Sequence, residues 1–103
     1  LEKMAAIATR EVEGVADLAK KTVDIKGAVK NLNVFKAVKV ENSGGTLRFD
    51  IFVVLKKSAK LRETVEKIQS NVKEKVQTST DTAVTKVNVV VADIFDDLSS
   101  DNG

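Results

Sequence analysis

Cysteine, histidine, proline, tryptophan and tyrosine are all absent from this 103-residue chain, and its only aromatic residues are four phenylalanines. Without cysteine there is no disulfide framework and no thiolate metal site. Without histidine the commonest general base and metal ligand is missing, so most catalytic designs are excluded. No apolar run approaches the roughly 20 residues that span a bilayer. The opening Leu1-Glu2-Lys3-Met4 lacks the charged-then-apolar layout of a secretory leader, and the expected placement is cytoplasmic. A strong field of one sign is also lacking: 17 basic and 15 acidic residues are interspersed for a net charge of +2. That balance argues against an anionic-lipid or nucleic-acid footprint. The length suits one domain with one core.

Apolar periodicity outlines the elements that are present. Met4, Ile7, Ala8, Val12 and Val15 recur at helical spacing, which predicts a first helix over 2–13 with Gly14 as its stop. Residues 16–33 fit neither the helical nor the strand period, and Gly27 interrupts them, so a connector with a short helix or turn is expected there. From Val34 to Glu41 apolar and charged residues alternate, predicting a strand. Asn42-Ser43-Gly44-Gly45 follows as a tight turn into a second strand over Thr46–Leu55. On that strand Leu47, Phe49, Ile51, Val53 and Leu55 share a core face. Arg48, Asp50, Phe52, Val54 and Lys56 share the other.

Ser58 is the expected N-cap of a second helix with the stripe Leu61, Val65, Ile68, Val72 and Val76. A last strand puts Val87, Val89 and Val91 on one face and Val90, Ala92 and Ile94 on the other. A strand apolar on both sides is expected to be central or covered. The predicted fold is α+β: a three-stranded sheet with two main helices on one face, in the order α-β-β-α-β. A right-handed crossover that skips one position would set the last strand beside the first. Residues 1–95 form the expected domain, and 96–103 an acidic tail that frays.

Few residues suggest chemistry. Glu11, Glu13 and Asp17, or Asp93, Asp96 and Asp97, could coordinate a hard cation, but nothing in their spacing fixes a cation loop, and solvated surface is the simpler account. No catalytic, cofactor-binding or metal-ligating set emerges, and no enzymatic activity is expected. Gly44-Gly45 lacks the helix and lysine of a phosphate loop. The topology brings to mind K-homology RNA binders, yet no Gly-x-x-Gly occurs and stacking aromatics are few. Lys56, Lys57 and Lys60 are the one basic concentration, suited to a weak contact with an acidic partner or lipid headgroups. Phe52 and Val54, apolar on a face that begins polar, are the candidate protein-interaction residues, to be covered by the connector or by another chain.

The segment Ile7-Ala8-Thr9-Arg10-Glu11-Val12-Glu13-Gly14-Val15-Ala16-Asp17-Leu18, the hairpin, the helix Ile68–Val76 and the strand Val84–Ile94 together resemble the alkaline shock protein family of Gram-positive bacteria, also called general or cell envelope stress response proteins. The most specific parts are the Glu-Val-x-Gly-Val turn and the Val-Asn-Val-x-Val strand. Where that family commonly has Tyr-Gly after the second strand, this chain has Lys56-Lys57. Where Thr-Gly ends the second helix, it has Thr80-Asp81 or Thr82-Ala83. The resemblance implies a non-enzymatic role in envelope homeostasis and stress tolerance. It also implies a membrane-anchored protein partner, self-association, and no cofactor.

Overall fold

Gly44 and Gly45 both take positive φ, 60° and 84°, and so close a two-residue hairpin between β2 (Val38–Ser43) and β3 (Thr46–Lys56). A computed structural model describes residues 1–19 and 37–98. The expected strand start at 34–36, most of the expected connector, and the tail from 99 onward lie outside the described residues. The hairpin register is regular from Ser43 against Thr46 to Val38 against Ile51.

The described sheet has four strands rather than three. The additional one is β1 (Val15–Leu18), which pairs antiparallel with Val53–Leu55 of β3. It was hidden because the register slips between Val15 and Asp17. The extra residue breaks the period of two that marks a strand. β1 and β2 occupy the same edge of β3 end to end: the Phe52 amide donates to the Ala37 carbonyl at 2.8 Å, and the Phe52 carbonyl accepts from the Ala19 amide at 2.9 Å.

β4 (Val84–Phe95) takes the other edge and runs parallel to β3. Since β1 and β2 fill the opposite side, the last strand lies beside β3 and not beside the first strand of the hairpin. Among the described residues it is therefore an edge and not a central strand, and Val90, Ile94 and Phe95 are 42, 40 and 55 % exposed. β4 slips twice against β3: between Leu47 and Arg48, which leaves Thr85 as an extra residue, and between Val53 and Val54, which leaves Ala92. The slip at Ala92 moves Ile94 to the helix side and Phe95 to the opposite face, so the predicted grouping of Val90 with Ile94 does not hold.

Both helices lie on one face of the sheet. α1 (Glu2–Arg10) buries Ala5, Ala8 and Thr9, while Ile7 is turned outward. Small side chains let the helix sit close, and the Thr9 hydroxyl spends its hydrogen on the Ala5 carbonyl at 2.8 Å, so it is buried without loss. α2 (Leu61–Thr80) buries the row Thr64, Ile68, Val72 and Val76. Relative to the predicted stripe the helix is rotated, and Leu61 and Val65 are displaced to its flank. The N-cap is Lys60, because Ser58 gives both its amide and its hydroxyl to the Asp97 carboxylate. At the other end Asp81 takes φ 59° and ψ 27°, the left-handed position for which glycine is usual. The core forms where these rows meet Leu47, Phe49, Ile51, Val53 and Leu55, all 2 % exposed or less. At about 25 cal/mol per Å² of apolar surface, this burial dominates the stability.

Candidate interaction face

The sheet face away from the helices is built by the even-numbered residues of β3 and their neighbours in register. Near the hairpin, Arg48 stands between Glu41 and Lys86, and Asp50 between Lys39 and Asn88. Farther along, Phe52 is beside Val90, Val54 lies between Asp17 and Asp93, and Lys56 is beside Phe95. The face is thus polar near the hairpin, apolar at Phe52 and Val90, and mixed at the far end, where Val54 and Phe95 stand among Asp17, Asp93 and Lys56.

Most of the polar end pairs within itself. Asn88 Nδ2 donates to Asp50 Oδ1 at 2.8 Å, and Arg48 sits 3.9 Å from Glu41 in an exposed ion pair of small energetic weight. Lys39 Nζ stands 5.6 Å from the centre of the Phe52 ring, within cation–π range. The apolar end joins Phe52 and Val54, both half-buried, to the exposed Val90 and Phe95. The structure therefore brings together the two residues singled out in the sequence and adds two from β4. Val90 was legible by alternation, but Phe95 was not, because only the slip at Ala92 turns it to this side.

Lys56 borders this patch beside Phe95, and all three lysines stand among carboxylates. Lys57 is 3.8 Å from Asp96, and its amide donates to the Phe95 carbonyl at 2.8 Å. Lys56 and Lys60 share an open groove of about 260 Å³ with Glu13, Glu63 and Asp97. Their positive charge is offset there. Asp97 accepts from the Ser58 hydroxyl and amide, which hold its carboxyl below the usual carboxylate range. These bonds tie the beginning of the acidic tail to the β3–α2 turn.

The carboxylates at the end of α1 do not converge on a common point. Asp17 is 3.6 Å from Arg10, whereas Glu11 receives Lys75 Nζ at 2.9 Å and Asn71 Nδ2 at 3.2 Å. The Lys75 hydrogen bond, then that of Asn71, lowers the Glu11 pKa. Asn71 also donates to the Ala8 carbonyl at 2.7 Å, so this cluster joins the two helices. Among the described residues no group of three His, Cys, Asp or Glu is placed to hold a metal ion. An open groove of about 710 Å³ between the helices is lined by Glu11, Glu13, Glu63, Glu66 and Glu74 around Lys67.

A family described by a cell envelope-related function, that of alkaline shock protein 23, matches residues 1–95. The chain belongs to this family. No curated protein matches it by sequence. Among solved structures, variants of a domain titled MamM CTD share the fold. One is 12 % identical, with 88 % of each chain covered and a TM-score of 0.50. A nickel form is 11 % identical over 88 % of this chain and 91 % of that one, and a copper form 10 % identical over 88 % and 90 %, both at TM-score 0.50. At such identities the likeness is one of fold alone.

The turn between α1 and β1 depends on one glycine. Gly14 of the Glu-Val-x-Gly-Val segment takes φ 102°, its carbonyl accepts the Lys56 amide at 2.8 Å, and the space for a Cβ is filled by Ala59 and Thr64. The glycine allows the start of α2 to press on the start of β1. The Val87-Asn88-Val89-Val90-Val91 stretch of β4 carries Asn88 and Val90 onto the open face. No described helix is long and apolar enough to cross a membrane.

Proposed function

We propose that this protein is a non-enzymatic interaction module of cell envelope homeostasis and stress response, cytoplasmic and held at the membrane by a membrane-anchored protein partner. One observation carries this: the sheet face opposite the helices presents Phe52, Val54, Val90 and Phe95 as partly exposed apolar residues bordered by Asp17, Asp93 and Lys56. Apolar centre and charged rim are the usual anatomy of a protein-binding surface. The cell envelope-related function of the family supplies the setting. No described helix is suited to span a bilayer, and membrane attachment is assigned to a partner. A K-homology-like nucleic-acid module, the alternative from topology, draws no support from the family or from the related domains.

Fractionation of cells expressing the tagged protein tests the proposal. Wild-type protein is expected in the membrane fraction with a cross-linked partner, and Phe52→Asp in the soluble fraction with an unchanged melting temperature. Retention of Phe52→Asp at the membrane, or its unfolding, would count against the open face as the binding surface.

A further inference from the structure

β4 is the longest strand of the sheet, and among the described residues it pairs with β3 alone. Natural sheets guard such edges with charge, proline, bulges or brevity. Between Lys86 and the bulge at Ala92, β4 offers Val87-Asn88-Val89-Val90-Val91 without a charge. The Leu47 amide donates to the Ala83 carbonyl, so the odd-numbered residues of β3 face β4. By the parallel ladder, the backbone groups of Val87, Val89 and Val91 then turn outward. Gln69 Nε2 meets the Val87 carbonyl at 3.1 Å from above.

The helix layer continues this edge. Gln69 ends the displaced row Leu61, Val65, Gln69 of α2. Gln77 Oε1 accepts the Val84 amide at 3.0 Å, eight residues along the helix from the Gln69 contact with Val87. At about 1.5 Å per helical residue and about 3.3 Å per strand residue, Val65 comes level with Val89 and Leu61 with Val91. Leu61 is 46 % exposed.

We propose that this edge pairs with the β4 edge of a second copy of the chain, antiparallel about a two-fold axis at Val89, so that one sheet runs through both protomers. The strand is complementary to itself in that register. Val89 faces its twin, Asn88 faces Val90, Val87 faces Val91, and Lys86 falls against the Ala92–Asp93 bulge, where two residues oppose one. Lys86 and Asp93 share the open face through their pairing with Arg48 and Val54, and neither is ion-paired to another described residue. Centring the pair on Val90 instead would set Lys86 against Ile94, so charge selects the register. The Val65 rows of the two helices meet above the join, and the amide of Val91 from the second copy takes over the Val87 carbonyl from Gln69. The pairing uses the β4 edge and shares Val90 alone with the partner surface proposed above, leaving Phe52, Val54 and Phe95 outside the join.

Sedimentation equilibrium on the full chain tests this, with charge reversal guarding against misfolding. A concentration-dependent dimer is expected. Lys86→Asp and Asp93→Lys should each weaken it about tenfold, since two exposed ion pairs become repulsions, and the combined variant should restore it. Phe52→Asp should leave it unchanged. A wild-type chain that stays monomeric up to about millimolar concentration, single reversals without effect, or a combined variant as weak as either parent would each overturn the β4 pairing.

Discussion

Gly14→Ala should be far more damaging than a single added methyl suggests. The residue sits at φ 102°, where a side chain costs roughly 1–3 kcal/mol in backbone strain. A Cβ built there lies 2.9 Å from the Ala59 Cβ and 3.0 Å from Thr64 Oγ1. Neither neighbour yields easily. Ala59 has no torsion to rotate, and Thr64 is 4 % exposed with its hydroxyl held on the Lys60 carbonyl at 2.8 Å. Relief therefore moves the first turn of α2 away from β1 and stretches the bond from Lys56 to the Gly14 carbonyl. Overpacking of this kind adds about 1–2 kcal/mol, and the stiffer unfolded chain returns under ~1 kcal/mol, for a net loss of roughly 3 kcal/mol. In a domain of this size that corresponds to a fall of about 12–24 °C in melting temperature. Urea unfolding followed by circular dichroism measures it, with the m-value unchanged. Adding Ala59→Gly should recover about 1 kcal/mol, the steric part only. A loss below ~0.5 kcal/mol, or full rescue by the second substitution, would refute the combined strain and overlap account.

Two further outcomes follow from the termini of the helices and the tail. The carboxyls of Glu11 and Asp97 are both held below their ordinary pKa, the first chiefly by Lys75 and the second chiefly by Ser58. Their contribution is therefore present above the unfolded-chain value and is lost as pH falls through the lowered folded value. Melting temperature should be level from neutrality to about pH 5 and decline below about pH 4, with a shallower decline in Glu11→Gln; identical profiles for the two proteins would contradict this. Asp81→Gly removes a side chain from a left-handed helix terminus and should stabilise by about 1 kcal/mol, or about 4–8 °C. A melting temperature that stays level or falls would show that Asp81 is not strained.

Much of this protein is legible in its local chemistry. The Gly44-Gly45 hairpin, the odd-numbered core face of β3 and the existence of α2 follow from backbone permissiveness and from periods of two and 3.6, which act over a few residues. The patch at Phe52 and Val54 is visible for the same reason. Slips of a single residue are not visible. The extra residues at Ala16 and Ala92 each reverse which way the following side chains point, hiding β1 and sending Phe95 rather than Ile94 to the open face. Apolar pattern also cannot tell a strand buried between neighbours from an edge strand. β4 reads as central, yet β1 and β2 together already fill the opposite side of β3. The rotation of α2 is equally a tertiary matter: Thr64 is buried because Gly14 leaves room for it, which displaces Leu61 and Val65 toward the β4 edge. Sequence by itself determined the elements and their apolar faces, because these depend on neighbours along the chain. Only the tertiary structure decided which apolar residues remain outside, because that depends on which strand reaches each edge of β3 and how closely the helices can approach.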